Sequence, residues 1–285
     1  MGFRTVIVKN RSKLDLKMNY LVCRSQEITK VFIPEISTLI LESTAISLTS
    51  ALVSELIKNN VKIIFCDEKH NPESELVPYH NNYNSVKKIR EQLDWKDSTK
   101  EKIWAQIVKA KIINQAKFLK DLNKTTESNL LISYSNQIYD NDLTNREGHA
   151  AKVYFNTLFG LDFSRRTERN INSMLNYGYS IIMSCFNREL TRLGYLTQLG
   201  IWHKNEFNPF NLACDLMEPF RTIVDRKALS IKEDINFRIP ILEILNEKVK
   251  IDGKLQTLEN AIAIYCQSVI DALNCNKESL IKFYE

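Results

Sequence analysis

The stretch Thr38–Cys66, TLILESTAISLTSALVSELIKNNVKIIFC, changes its hydrophobic period twice. Thr38–Glu42 is an apolar run of β-branched and aliphatic residues and reads as a strand. Leu48, Leu52, Leu56 and Ile57 then recur at helical spacing, with Ser47 or Thr49 available to cap the first turn and Asn59-Asn60 to end the last. Val61–Cys66 follows as a short apolar strand. A strand, a helix and a strand in so few residues place this helix inside a β-rich domain.

Upstream the pattern stays β-like. Arg4–Val8 carries β-branched residues, Lys13–Leu16 and Tyr20–Cys23 look like a short pair, and Ile28–Ile33 is another strand that Pro34 limits. Downstream, residues 67–85 are rich in turn formers: Asp67, Asn71-Pro72, Pro78 and Asn81-Asn82, with His70 and His80 among them. A boundary there separates a domain of residues 1–80 from one of residues 81–285. Beyond it the strand signal mostly vanishes. Helical spacing runs from Val86 to Leu122, then through Thr126–Tyr139, Glu147–Gly160, Arg169–Leu193, Leu212–Leu229 and Leu255–Leu273, with a short helix or tail at Lys277–Tyr284. The predicted class is α+β, a β domain with one helix followed by a larger all-α domain. No internal repeat or low-complexity segment interrupts it.

Composition excludes several function classes. No apolar run reaches the roughly 18–20 residues a bilayer-crossing helix needs, and the start MGFRTVIVKN has no long apolar segment of a secretory signal. The six cysteines are scattered without a CxxC pair, which argues against a zinc ribbon or a disulfide framework and for a reducing cytoplasm. Net charge is +5, which permits a polyanionic partner without demanding one. Lysines crowd residues 86–125, and residues 165–169 read Arg-Arg-Thr-Glu-Arg. Each run fits a solvated helix face as well as a DNA contact.

Three places could carry chemistry. In FNPFNLACDLMEPFRTIVDR, Asp215 and Glu218 share a helix face among Leu212, Leu216, Met217 and Phe220. Carboxylates beside an apolar surface need a metal or an ion pair, and Arg221 offers the second. Pro219 inside that helix leaves a carbonyl without its donor. His203, in LGIWHKNEFNPF, lies twelve residues before Asp215, so a loop can return it to the acidic face; a lone surface histidine is the plainer alternative. Glu147, in NREGHAAKVYFNTLFG, opens a helix whose apolar face includes Ala150, Ala151, Tyr154, Phe155 and Leu158. A carboxylate favoured by the helix dipole is the plainer reading there. Two carboxylates and an imidazole suit Mg2+ or Mn2+, the second tolerating imidazole better. Zinc would fit the same set, although structural zinc usually takes thiolates.

Four passages, IPEISTLILES…ISLTSALVSELIKNNVKIIFCD, REGHAAKVYF, SMLNYGYSIIMS and GIWHKNEFNPFNLACDLMEPFR, span most of residues 1–228. Together they resemble the CRISPR-associated endonuclease/integrase family, Cas1, in the form found in type II systems. The resemblance places the family's metal ligands on Glu147, His203 and Glu218, and puts Asp215 behind them as an orienting acid. Gly148-His149 departs from the apolar residues common in relatives, and Cys214 lies where small residues vary; neither removes a ligand.

The resemblance also implies a fold and partners. The first domain would be a β-sandwich that builds a homodimer, and the second an α-helical catalytic domain. The small Cas2 subunit would bridge two such dimers, and other type II CRISPR proteins would join. The implied activity is metal-dependent insertion of short foreign DNA into a CRISPR repeat array, using Mg2+ or Mn2+, in a prokaryotic cytoplasm. Both the incoming spacer and the repeat are double-stranded DNA. Arg165, Arg166 and Lys204 are candidate DNA contacts, and Tyr177 or Tyr179 could stack near a DNA end, with core packing as the alternative for the tyrosines. A nuclease acting on branched or linear DNA without integration would use the same residues. A helical DNA-binding scaffold without catalysis is a third reading.

Overall fold

A computed structural model describes residues 4–76, 78, 84–167, 169–231 and 236–285. His80 and Asn81-Asn82, read as part of the turn-rich boundary, lie outside the described residues. The chain divides into two compact units, Met1–His80 and Asn81–Glu285.

The first unit holds β1 (Arg4–Val8), β2 (Ser12–Lys17), β3 (Tyr20–Arg24), β4 (Ile28–Phe32), β5 (Ile36–Leu41), β6 (Ile46–Leu48), α1 (Ser50–Lys58), β7 (Lys62–Cys66) and β8 (Pro72–Glu75). Among the described residues these strands form two four-stranded sheets, in the orders β1-β5-β7-β8 and β4-β3-β2-β6. The stretch Thr38–Cys66 supplies the centre of the first sheet, because β5 runs parallel to both β1 and β7. Every residue of β5 is buried, which is why it reads as a continuous apolar run rather than an alternating one. Leu14 and Leu21 of the second sheet share one core with Leu39, Ile63, Leu52 and Leu56. Thr49 caps α1 by accepting from the Leu52 amide at 3.3 Å, while Ser47 sits in β6. Two strands escaped the sequence reading. β6 has three residues, and β8 lies within the region read as all turn. Pro72 is tolerated in β8 because that strand lies at the sheet edge.

The second unit holds α2 (Ser85–Leu93), α3 (Asp97–Asp121), α4 (Thr125–Ser135), α5 (Arg146–Phe159), α6 (Asn170–Arg192), α7 (Asn211–Met217), α8 (Arg221–Ser230), α9 (Arg238–Leu242), β9 (Lys248–Ile251), β10 (Lys254–Thr257) and α10 (Leu258–Cys275). The helix α3 runs through the middle, packing on α4, α5, α7, α8 and α10. Its buried positions, among them Trp104, Ile107, Val108, Ile112, Asn114 and Leu119, fall around much of its circumference, as expected of a helix surrounded by others. The sequence predicts one helix over Val86–Leu122; the structure breaks it at residues 94–96. Lys96 is extended there, and Trp95 turns inward to stack on Tyr195 at 5.5 Å and to donate its indole N–H to Asn274 at 2.8 Å. A helix is also predicted to begin at Leu255, but that residue belongs to a β9–β10 hairpin. Asp252 and Gly253, at φ 53° and 72°, make its two-residue turn. All six cysteines are unbridged among the described residues. No described helix is long and apolar enough to cross a membrane.

Candidate metal centre

Glu147 is placed by the turn that precedes α5. Buried Asp142 accepts from the Arg146 and Glu147 amides, each at 2.9 Å, and Asn145 accepts from the Gly148 amide at 3.2 Å. These acceptors satisfy helix-start N–H groups that have no partner within the helix. They also fix where the Glu147 side chain leaves the first turn. Asp142 was not singled out from the sequence, although the Asp-x-x-Asn spacing ahead of Glu147 is a capping signal.

His203 lies on the segment between α6 and α7 and is held by Asp215, which is wholly buried. Asp215 Oδ2 accepts from the Ile201 and Trp202 amides at 2.7 and 3.0 Å. Its Oδ1 accepts from the His203 amide at 3.1 Å and from His203 Nδ1 at 2.5 Å. Four N–H groups therefore converge on one carboxylate, which leaves it poorly placed to ligate anything else. Nδ1 must carry the proton to donate to Asp215, so Nε2 is the nitrogen left for a ligand. The hydrogen bond to Asp215 raises the His203 pKa, and the nearby charges of Glu218 and Glu147 add to it. Trp202 stacks on buried Trp104 at 5.5 Å, and the His203 ring meets Trp104 edge-on. Gly200 permits the tight return of the chain, because a Cβ there would lie 2.5 Å from the His203 carbonyl oxygen and 2.7 Å from Asp215 Oδ2.

Glu218 starts a short 3-10 segment, Glu218–Phe220, between α7 and α8. The Pro219 carbonyl accepts from the Asn114 amide and the Tyr284 hydroxyl, both at 3.0 Å. Glu218 is 4% exposed. Its Oε1 accepts from Arg221 Nε at 2.8 Å, and its Oε2 lies 2.5 Å from Lys111 Nζ. Burial alone would raise its carboxyl; the Arg221 and Lys111 charges outweigh that and hold its pKa down at about 2. The same Lys111 Nζ stands 2.6 Å from Glu147 Oε1. Glu147 and Glu218, 71 positions apart in the chain, thus meet on one cation. Asp215 and Glu218 do not act as the pair their spacing suggests, because Asp215 serves the His203 segment.

Among the described residues no three His, Cys, Asp or Glu side chains are gathered closely enough to cage a metal. The Lys111 ammonium lies between the two glutamates, and Asp215 is spent on His203. The donor chemistry nevertheless fits a hard divalent ion: two carboxylates that already converge on a cation, and an imidazole within reach of their charges whose second nitrogen is anchored by a carboxylate.

The predicted DNA contacts divide. Arg166 and Lys204 are exposed. Arg165 is half-buried, with its two terminal nitrogens donating to Asn172 at 2.8 Å and Asn176 at 2.5 Å. Tyr177 is 2% exposed and packs edge-on to Phe237, so its core reading replaces the DNA-stacking one. Tyr179 is also committed inward. Its hydroxyl donates to buried Asp225 at 2.5 Å, alongside that of Tyr154 at 2.8 Å, and its ring lies under the Arg165 and Arg221 guanidinium groups. The sequence reading did not single out Asp225 or Lys111. A groove of about 740 Å³ opens beside His203, lined by Trp95, Lys100, Gln198, Lys204, Phe207 and Asn211 among others.

Comparison with known proteins supplies the family. The family description for CRISPR associated protein Cas1 matches residues 5–238. The chain is 32% identical over 234 residues to the CRISPR-associated endonuclease Cas1 of Neisseria meningitidis serogroup C (strain 8013), covering 82% of this chain and 77% of that one. It is 28% identical over 243 residues to a CRISPR-associated endonuclease Cas1 of Francisella tularensis subsp. novicida (strain U112), covering 77% and 76%. Three solved structures share the fold. A casposase bound to integration product has a TM-score of 0.75 at 20% identity, covering 97% of this chain and 92% of that one. A Cas1 protein from Thermotoga maritima has 0.74 at 18%, covering 95% and 97%. A chain of a Cas6-RT-Cas1–Cas2 complex has 0.77 at 19%, covering 98% and 36%. With the family description spanning both units, the chain belongs to the CRISPR-associated Cas1 family.

Proposed function

We propose that the chain is a metal-dependent DNA endonuclease and integrase that inserts short foreign DNA into a CRISPR repeat array. The observation that carries this is the meeting of Glu147 and Glu218 on a single cation, with the Asp215-anchored His203 close enough to feel both of their charges. In this reading Glu147, Glu218 and His203 Nε2 hold Mg2+ or Mn2+. A divalent ion bound there supplies Lewis acidity to a phosphate oxygen and to the attacking hydroxyl.

Asp215 keeps the imidazole in the ligating tautomer and orientation. The groove beside His203, with Lys100 and Lys204 on its wall, takes the DNA backbone by charge. The 3′-hydroxyl of the incoming duplex attacks a phosphodiester of the repeat. One O–P bond forms, one breaks, and the leaving 3′-oxygen takes a proton. No covalent bond to the protein is needed. Residues 1–80 would supply the homodimer contact. The Cas2 subunit would join, as it does in the Cas6-RT-Cas1–Cas2 complex whose fold this chain shares, and other type II CRISPR proteins would follow. The reaction belongs in the prokaryotic cytoplasm, where the repeat array lies.

The test is integration of a labelled duplex into repeat-bearing plasmid, with the Cas2 subunit and Mg2+ or Mn2+. Wild type should yield joined product, and Glu147→Ala and His203→Ala should yield none while melting cooperatively. Full joining by both variants overturns the assignment. Cleaved plasmid without joined product from the wild type would favour the nuclease reading.

A further inference from the structure

Lys111 takes no part in the reaction as proposed, yet it occupies the centre of the site. It comes from α3, the helix at the middle of the second unit, and its side chain is 12% exposed. Its ammonium touches a carboxylate from α5 and one from the Glu218–Phe220 segment, at 2.6 and 2.5 Å. Arg221 pairs with the other oxygen of Glu218. Asn114, three residues on along the same face of α3, holds the Pro219 carbonyl next to Glu218. One face of α3 therefore sets both the position of Glu218 and its charge partner.

Two carboxylates held this close repel each other unless a cation lies between them. An ammonium on a flexible four-carbon stem is a compact point charge that can fill such a position and withdraw from it. A divalent ion needs the oxygens that Lys111 already engages, and both cations cannot hold them together. Resting on the metal-ligand reading above, we propose that Lys111 is the resident cation of the site: it keeps Glu147 and Glu218 in register in the metal-free protein, and a divalent ion must displace its ammonium to bind. The site is then preformed before metal arrives, and its affinity is the balance of an exchange rather than the filling of an empty cage.

Calorimetric titration of Mn2+ into the full, metal-free chain without DNA tests this, comparing wild type with Lys111→Met, Lys111→Gln, Arg221→Gln and Glu147→Ala. Melting is recorded for each with and without Mn2+. Both Lys111 variants should bind Mn2+ at least tenfold tighter than wild type, melt lower without metal, and show a larger rise in melting temperature on adding it. Arg221→Gln, which removes a positive charge that does not bridge the two acids, should tighten binding much less. Equal or weaker Mn2+ binding by the Lys111 variants overturns the proposal, as does an equal gain in Arg221→Gln. So does a Mn2+-soaked wild-type crystal with Lys111 Nζ still between the glutamates, a result that needs no variant to fold. Glu147→Ala separates the two levels: if it leaves Mn2+ affinity unchanged, the ligand reading itself fails. If it abolishes binding while the Lys111 variants are no tighter, only the exchange fails.

Discussion

His203 Nδ1 lies 2.5 Å from Asp215 Oδ1, and the same carboxylate takes the backbone N–H groups of residues 201, 202 and 203. One acid thus builds the loop and orients the ring it presents. Asp215→Asn puts an NH2 group against N–H donors on one side, so part of this convergence is lost. Supports of this kind typically cost about 10–100-fold in metal affinity or activity when removed. The expected outcome is a loss of that size in Mn2+ affinity by calorimetry, with a lower melting temperature. Wild-type affinity in Asp215→Asn would show that the ring is oriented by something else.

Gly200 is the steric counterpart of that carboxylate. The atoms a Cβ would strike are a backbone carbonyl and an anchored acid, neither of which can swing away. Gly200→Ala should therefore cost about 1–3 kcal/mol, the usual range for overpacking, and should weaken metal binding along with stability. Gly253→Ala is the contrast. Its φ is 72°, with open space around it, so it should cost about 1 kcal/mol from backbone conformation alone and leave the metal untouched. Urea titrations followed by tryptophan fluorescence report on this unit, since Trp95, Trp104 and Trp202 all lie in it.

Asp225 makes stability depend on pH. Burial pushes its carboxyl up to about 6 from the ordinary 3.8, although the Tyr179 and Tyr154 hydroxyls oppose the shift. The unfolded chain releases this proton near the ordinary value, whereas the folded chain keeps it to about pH 6. Between those limits the folded form binds more protons, so raising the pH favours unfolding; below both the effect is fully absent, and above both it is complete. A shift of this size corresponds to about 3 kcal/mol. The difference in unfolding free energy between wild type and Asp225→Asn should move by that order, against wild type, from pH 4 to pH 6.5. A difference that stays constant over that range rules out a raised Asp225.

How much of this was legible beforehand depended on distance along the chain. The change of period between Thr38 and Cys66 is local, and it located the β-to-helix switch. β6 is three residues long and owes its pairing to β2, 34 positions earlier at Ser12↔Ile46, so no local pattern marks it; β8 pairs with its neighbour β7, but its four residues, PESE, carry no apolar alternation. The β9–β10 turn did carry its signal, Asp252-Gly253, between two short alternating stretches, and a helical pattern running into Leu255 obscured it. At the site, His203, Asp215 and Glu218 fall within sixteen residues and their motif could be read. Lys111 is one of ten lysines between residues 86 and 125. Only the central position of α3 shows which of them turns inward.

Lys204 and Arg165 looked equivalent as DNA contacts in the sequence, and the structure separates them. Lys204 is exposed on the wall of the groove beside His203, where its charge can meet a phosphate. Lys204→Glu should weaken DNA binding without lowering the melting temperature, and should reduce the salt slope of the affinity by about one. Arg165 is a fork closed on Asn172 and Asn176 over the Tyr179 ring. Arg165→Glu breaks that fork and brings a second acid toward Asp225, whose charge is already disfavoured by burial. It should lower the melting temperature, while the folded fraction keeps the wild-type salt slope. Filter binding across a salt series beside thermal melts distinguishes the two. An unchanged melt with a reduced slope in Arg165→Glu would return that arginine to the DNA surface.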